Sequence, residues 1–186
     1  MIVGVDEVGR GCWAGPVCVA AVAMHPDLEG IVDDSKKLSA AQRHVIAQLI
    51  KEVTPVGIGW ASPEYIDTYG LTAALKHAAI KAIIDLGPPL DEILLDGNSN
   101  YLGDKRVRTI IKGDGIEPSI AAASIVAKVA RDNYMQVMGG AKFNGYGFES
   151  HVGYGTALHR AALAQMGPCA IHRMSWAPLK AMTGVD

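Results

Sequence analysis

Apolar runs and helical spacing divide this chain into alternating strands and helices. Ile2-Val3-Gly4-Val5 and its continuation to Val8 predict a buried strand over residues 2–8, and a second apolar run predicts another over 16–24. Val56, Ile58 and Trp60 alternate within 55–61, which predicts a third strand. Ser39 and Gln42 form a capping-box pattern that opens a helix with Val45, Ile46, Leu49, Ile50 and Val53 as its apolar stripe. Pro63 suits the start of a short helix, and residues 71–86 repeat apolar positions at helical spacing. Residues 92–96 and 106–111 predict two further strands. Pro118 starts a long helix to about Met138, and a final helix is predicted from Thr156 to Gln165. Strands first, then strands interleaved with helices, give an α/β domain with a mixed sheet covered by helices.

Size and composition narrow the class without naming a function. A length of 186 residues predicts one domain over 1–186, with 49% hydrophobic and 19% charged residues as in ordinary globular chains. No apolar run reaches about 18 residues, so no membrane span is expected. The N-terminus enters strand-like sequence at Ile2, without a basic stretch and apolar signal core. Cys12, Cys18 and Cys169 share no metal-ligand spacing and leave one unpaired in any disulfide scheme, which suits a reducing, cytoplasmic setting. The net charge of −2 does not advertise a nucleic-acid binder. The basic residues nevertheless cluster, at Lys105, Arg106, Arg108 and Lys112, at Lys128 and Arg131, and at His172-Arg173. Each cluster alone reads as a solvated face.

Candidate chemistry sits where strands end or helices begin. Asp6-Glu7 lies late in the first strand, directly before Gly9-Arg10-Gly11. Asp96 ends the Ile93-Leu94-Leu95 run, and Asp114 stands just ahead of the long helix. Ligands gather at strand ends in open α/β sheets. Four carboxylates converging there would repel one another, and oxygen-only donors select hard divalent cations such as Mg²⁺ or Mn²⁺. Two such ions, about 3.5–4 Å apart, suit in-line attack on a phosphodiester. Adjacent strand residues point to opposite faces, so Asp6 and Glu7 share a site only if the strand twists or ends between them. For this pair alone a solvated acidic turn is the plainer reading. Ser124, Lys128 and Arg131 are spaced i, i+4, i+7 along one stripe of the long helix. That stripe reads either as a contact for a phosphate backbone and the acids or as an ordinary solvent-facing edge.

Seven segments, in order, resemble the type 2 ribonuclease H family (ribonuclease HII). They are Gly4-Val5-Asp6-Glu7-Val8-Gly9-Arg10-Gly11, Asp34-Ser35-Lys36-Lys37-Leu38, Leu95-Asp96-Gly97-Asn98, Lys112-Gly113-Asp114, the helix Ser119 to Asp132, His151-Val152-Gly153-Tyr154-Gly155-Thr156, and His172-Arg173-Met174-Ser175-Trp176-Ala177-Pro178. The resemblance implies a ribonuclease H-like fold with a small C-terminal helical, substrate-binding part from about residue 140. It implies a metal-dependent endonuclease that cuts the RNA strand of RNA–DNA hybrids, and duplex DNA 5′ to single embedded ribonucleotides, leaving 3′-hydroxyl and 5′-phosphate ends. By motif, Asp6, Glu7, Asp96 and Asp114 become the catalytic metal ligands, and Gly9, Arg10 and Gly11 the readers of the ribose 2′-hydroxyl. Tyr154 would stack on the sugar at the RNA–DNA junction, although alone it reads as a core aromatic capping the last helix. Lys36 and Lys37 would contact phosphates, as would Ser124, Lys128 and Arg131.

His151, His159 and His172 are left out of catalysis, because metal-assisted hydrolysis needs no imidazole. Cys12 is assigned a structural place, without an activating partner. The segment after Pro178 shows no paired aromatics of a sliding-clamp-binding tail, and a monomer is the default expectation. The competing readings are another ribonuclease H-fold DNA nuclease and a non-catalytic hybrid-binding module.

Overall fold

Five strands form one mixed sheet in the order β3-β2-β1-β4-β5. The structure is a computed structural model and describes residues 1–32 and 38–184. The strands are β1 (Ile2–Val8), β2 (Val17–Ala23), β3 (Val56–Ala61), β4 (Glu92–Asp96) and β5 (Val107–Ile110). The helices are α1 (Leu28–Val32), α2 (Ala40–Val53), α3 (Pro63–Tyr69), α4 (Leu71–Leu86), α5 (Pro118–Ala141), α6 (Phe148–His151), α7 (Ala157–Met166) and α8 (Ala177–Thr183). β1 is central. It pairs antiparallel with β2, from Val3↔Ala23 to Val8↔Cys18, and parallel with β4, from Ile2↔Glu92 to Val5↔Leu95.

The period-2 alternation sorts side chains between two helical layers. Val3, Val5, Val19, Ile93 and Leu95 pack with Ala74, Leu75, Ala78 and Ala82 of α4. Cys18, Ala20 and Val22 on the other face pack with Ala122, Ala123, Val126 and Ala127 of α5, beside α1 and α2. The alanine-rich side of α5 lets this helix lie close against the sheet. At Gly4 a Cβ would overlap the backbone of Ser119 and Ile120, so the β1–α5 approach requires glycine there. A third apolar group, including Met135, Phe148, Leu163 and Leu179, holds α6, α7 and α8 against the end of α5 and against Ala14 of the β1–β2 loop.

Local signals placed the ends of most elements. Ser39 caps α2 with the full reciprocal box: the Ser39 Oγ accepts from Gln42 N–H at 3.3 Å, and the Ser39 N–H donates to Gln42 Oε1 at 2.9 Å. Such a cap is worth about 1 kcal/mol. Pro63 and Pro118 begin their helices, and Thr156 caps α7 by accepting from His159 N–H. The apolar stripe of α2 differs from expectation. Its buried edge is Ala47 and Ile50, with Ile46 and Val53 half-buried, whereas Val45 and Leu49 are 60% and 41% exposed. The buried edge of α2 meets α5 and α1, and Val45 and Leu49 lie outside it. α1, α6 and α8 were not anticipated, because each has seven residues or fewer and too few turns to show a helical period. Among the described residues no helix is long and apolar enough to cross a membrane.

Candidate active site

The parallel register of β1 and β4 brings the first two acids together. Pairing runs to Val5↔Leu95, so the next residue on each strand, Asp6 and Asp96, stands side by side at the carboxyl end of the sheet. Both project to the α5 face, since Val5 and Leu95 pack on the α4 side. Asp6 is 7% exposed. Its Oδ1 accepts from the Glu7 N–H at 2.7 Å, and its carboxyl also hydrogen-bonds Ser124 of α5. Burial, then the Glu7 and Asp96 charges, push this carboxyl up to about 7, against the pull of the Ser124 and Glu7 hydrogen bonds.

Asp96 draws the third acidic segment in. Its Oδ1 accepts from the Gly113 N–H at 2.7 Å, next to Asp114 in the tight 3-10 turn Gly113–Gly115. Lys112 enters that turn with φ 57, a left-handed conformation uncommon for a non-glycine residue. The turn continues into α5, because the Gly113 carbonyl accepts from the Glu117 N–H at 2.8 Å. Asp114 is half-buried there.

Glu7 behaves differently. β1 remains a regular strand through Val8, so Glu7 leaves the sheet on the α4 side, opposite Asp6. Its Oε1 accepts from Arg10 Nη1 at 2.6 Å and its Oε2 from the Tyr101 hydroxyl at 3.2 Å. Burial and the Glu7 charge push the Tyr101 hydroxyl up, which keeps it a donor. A cleft of about 80 Å³ opens here, lined by Arg10, Thr72, Asp96, Asn98, Ser99 and Tyr101.

No three carboxylate, histidine or cysteine side chains among the described residues are grouped closely enough to hold one ion. The donor chemistry still fits a hard divalent cation. All the donors are oxygens, and a cation would relieve the like charges of Glu7 and Asp96 that add to burial in raising Asp6.

The glycine loop and the Tyr154 loop lie against each other. Gly9 has φ +92, and a Cβ there would overlap the Arg131 guanidinium. Arg10 and Gly11 are exposed. The Trp13 and Ala14 N–H groups donate to the Gly153 carbonyl, and Tyr154 is 39% exposed. The core-aromatic alternative for Tyr154 is therefore set aside. Lys128 Nζ is paired with Asp132 Oδ1 at 2.9 Å on the half-buried side of α5.

Arg131 corrects the expectation of a basic stripe along α5. It is fully buried, and its guanidinium donates to the carbonyls of Pro16, Val152 and Ala14 instead of facing a phosphate. Lys36 and Lys37 lie outside the described residues. The cluster around Lys105 is partly neutralised, with Arg106 paired to Asp104 and Arg108 to Glu92.

The histidines form a buried relay. The Cys169 N–H donates to His172 Nδ1 at 2.8 Å, the two Nε2 atoms of His172 and His159 meet at 2.9 Å, and His159 Nδ1 lies 2.9 Å from the Tyr154 carbonyl. One set of neutral tautomers satisfies the chain: His172 donates from Nε2 and His159 from Nδ1. Burial pushes both rings down to about 4. His159 thereby donates to the Tyr154 loop, and His172 donates to His159. Sequence reasoning missed Tyr101, since a tyrosine five residues past Asp96 carries no local signal.

Known proteins share both the sequence and this architecture. The Ribonuclease HII family profile matches residues 3–179. A Ribonuclease HII of Streptomyces avermitilis is 47% identical over 186 residues, covering 98% of this chain and 79% of its own. The RNase HII structure from its PCNA complex in Archaeoglobus fulgidus aligns with a TM-score of 0.81 at 29% identity, over 98% of this chain and 96% of that one. Bst-RNase HIII in complex with Mn²⁺ shares the fold, with a TM-score of 0.73 at 22% identity over 99% of this chain and 69% of that one.

Proposed function

The chain belongs to the ribonuclease HII family and is a ribonuclease H-type endonuclease; on that premise we propose that it cleaves the RNA strand of RNA–DNA hybrids and duplex DNA on the 5′ side of single embedded ribonucleotides. The products would carry 3′-hydroxyl and 5′-phosphate ends. The observation that carries this reading is the Asp6–Asp96 pair at the carboxyl end of β1 and β4, buried enough to raise Asp6 to about 7. Burying a carboxyl beside like charges is costly to keep in a fold unless a cation or a reaction uses it.

By motif, Asp6, Glu7, Asp96 and Asp114 would hold divalent cations, Mg²⁺ or Mn²⁺; Glu7 starts from the opposite face of the sheet, but its charge already acts on Asp6. Bound there, such ions supply an activated water and stabilise the leaving oxygen. The chain's own part is to orient the carboxylates. Ser124 and the Glu7 N–H fix Asp6, the Gly113 N–H fixes Asp96, and Arg10 with Tyr101 holds Glu7 in readiness at the cleft. Gly9, Arg10 and Gly11 read the 2′-hydroxyl through closely approaching backbone groups, and the exposed Tyr154 stacks on the junction sugar. Ser124 and Lys128, with Lys36 and Lys37 by motif, contact phosphates. Arg131 is not among those contacts.

A labelled DNA duplex with one ribonucleotide tests the reading, beside all-DNA and continuous-hybrid controls, each with Mg²⁺, Mn²⁺ or chelator. Metal-dependent cleavage 5′ to the ribonucleotide, with all-DNA intact, is the expected result. Cleavage of all-DNA would indicate a DNA nuclease, and hybrid binding without cutting a binding module.

A further inference from the structure

Arg131 and Arg173 are both fully buried, and among the described residues neither forms an ion pair with a carboxylate. Each spends three guanidinium nitrogens on backbone carbonyls. Arg131 donates from Nε to Pro16 at 2.8 Å, from Nη1 to Val152 at 2.8 Å and from Nη2 to Ala14 at 3.1 Å. Arg173 donates from Nε to Gly15 at 2.9 Å, from Nη1 to Arg10 at 3.0 Å and from Nη2 to Gly9 at 2.6 Å. Burial lowers Arg173 to about 10, which still leaves it charged at neutral pH. Two desolvated cations are a poor means of stabilising a loop, since well-packed apolar residues often do as well or better. Their geometry serves another end.

In a trans peptide the carbonyl of one residue and the N–H of the next point in opposite directions. The peptides of this loop are trans; among the described residues the cis bond is Pro88-Pro89. Arg173 pulls the Gly9 and Arg10 carbonyls inward, so the N–H groups of Arg10 and Gly11 are turned outward, on two exposed residues. Arg131 ties the far end of the same loop to Val152, two residues before Tyr154.

We infer that Arg173 and Arg131 are positioning residues for ribonucleotide selectivity: Arg173 aims the Arg10 and Gly11 amides at the ribose 2′-hydroxyl, and Arg131 sets that pair's distance from Tyr154. The inference rests on the proposed reading of the Gly9-Arg10-Gly11 loop. A continuous hybrid presents a 2′-hydroxyl at every position, so a mis-aimed loop finds other registers. A single embedded ribonucleotide allows one.

Arg173→Lys keeps the charge but offers one nitrogen where three carbonyls need three. In this variant kcat/KM at a single embedded ribonucleotide, relative to a continuous hybrid, is expected to fall roughly tenfold or more. Faster hydrogen exchange is expected at the Trp13 and Gly15 amides, while β1 stays protected. A folded variant with an unchanged ratio, or with equal losses on both substrates, overturns the assignment. Wild-type exchange supplies a measurement that needs no variant: the Trp13 and Gly15 amides should exchange as slowly as those of β1, and fast exchange there also overturns the clamp. A wild-type enzyme that cuts all-DNA would instead refute the underlying functional reading, and the two failures are told apart on the same substrates.

Discussion

Replacing Asp6 by asparagine should remove activity and, without divalent metal, make the protein more stable at neutral pH. The wild-type carboxyl titrates near 7 in the fold against 3.8 for the free group, because it is buried beside Glu7 and Asp96. A folded pKa raised above the unfolded one means that the folded state holds the extra proton between about pH 4 and 7. Stability from this group is therefore complete below pH 4 and is lost as pH rises through 7. The full difference is about 3 pKa units, or roughly 4 kcal/mol, of which about 3 kcal/mol develops between pH 5 and 8. His159 and His172 titrate oppositely in part of this range, so wild-type stability alone does not isolate Asp6. The difference between Asp6→Asn and wild type does, because both proteins keep the histidines. Denaturant melts in chelator from pH 5 to 8 should show the variant's advantage growing by about 3 kcal/mol, near 10 °C in melting temperature for a chain of this length. Excess Mg²⁺ or Mn²⁺ should raise wild-type stability and shrink that advantage. Parallel stability curves in chelator would refute the claim that Asp6 is held protonated by burial and like charge.

Tyr101→Phe removes one of the two donors that hold Glu7. A hydrogen bond to a charged group is worth about 1.5–3 kcal/mol, so turnover should fall roughly tenfold or more with little change in melting temperature; unchanged turnover would show that Glu7 needs no help from Tyr101. His159 and His172 are depressed to about 4, so their contribution to stability is complete above about pH 6.5 and is lost as pH falls toward 4. His159→Gln should flatten that acid limb and also slacken the Tyr154 loop, measured as denaturant stability across pH 4–7; an acid limb as steep as wild type would contradict the relay.

Much of this fold is legible in the chain because the relevant signals are local. Alternation over 2–8 and 55–61, prolines at 63 and 118, and the Ser39–Gln42 box each act within a few residues, and the structure places elements there. The acids at strand ends were visible for the same reason: a carboxylate closing an apolar run stands out against the cost of burying it. What the sequence by itself could not decide is which distant backbone meets each polar side chain. Arg131 has the same helical spacing as Ser124 and Lys128, and periodicity alone puts all three on one stripe. Only the folding of loops 9–16 and 152–156 over the end of α5 brings the carbonyls that allow a buried guanidinium. The same holds for Glu7, beside Asp6 in sequence but across the sheet in space, and for Tyr101, which reaches it from 94 residues away. Strand and helix periods report how much of a residue is buried. Its hydrogen-bond partners are set by long-range packing.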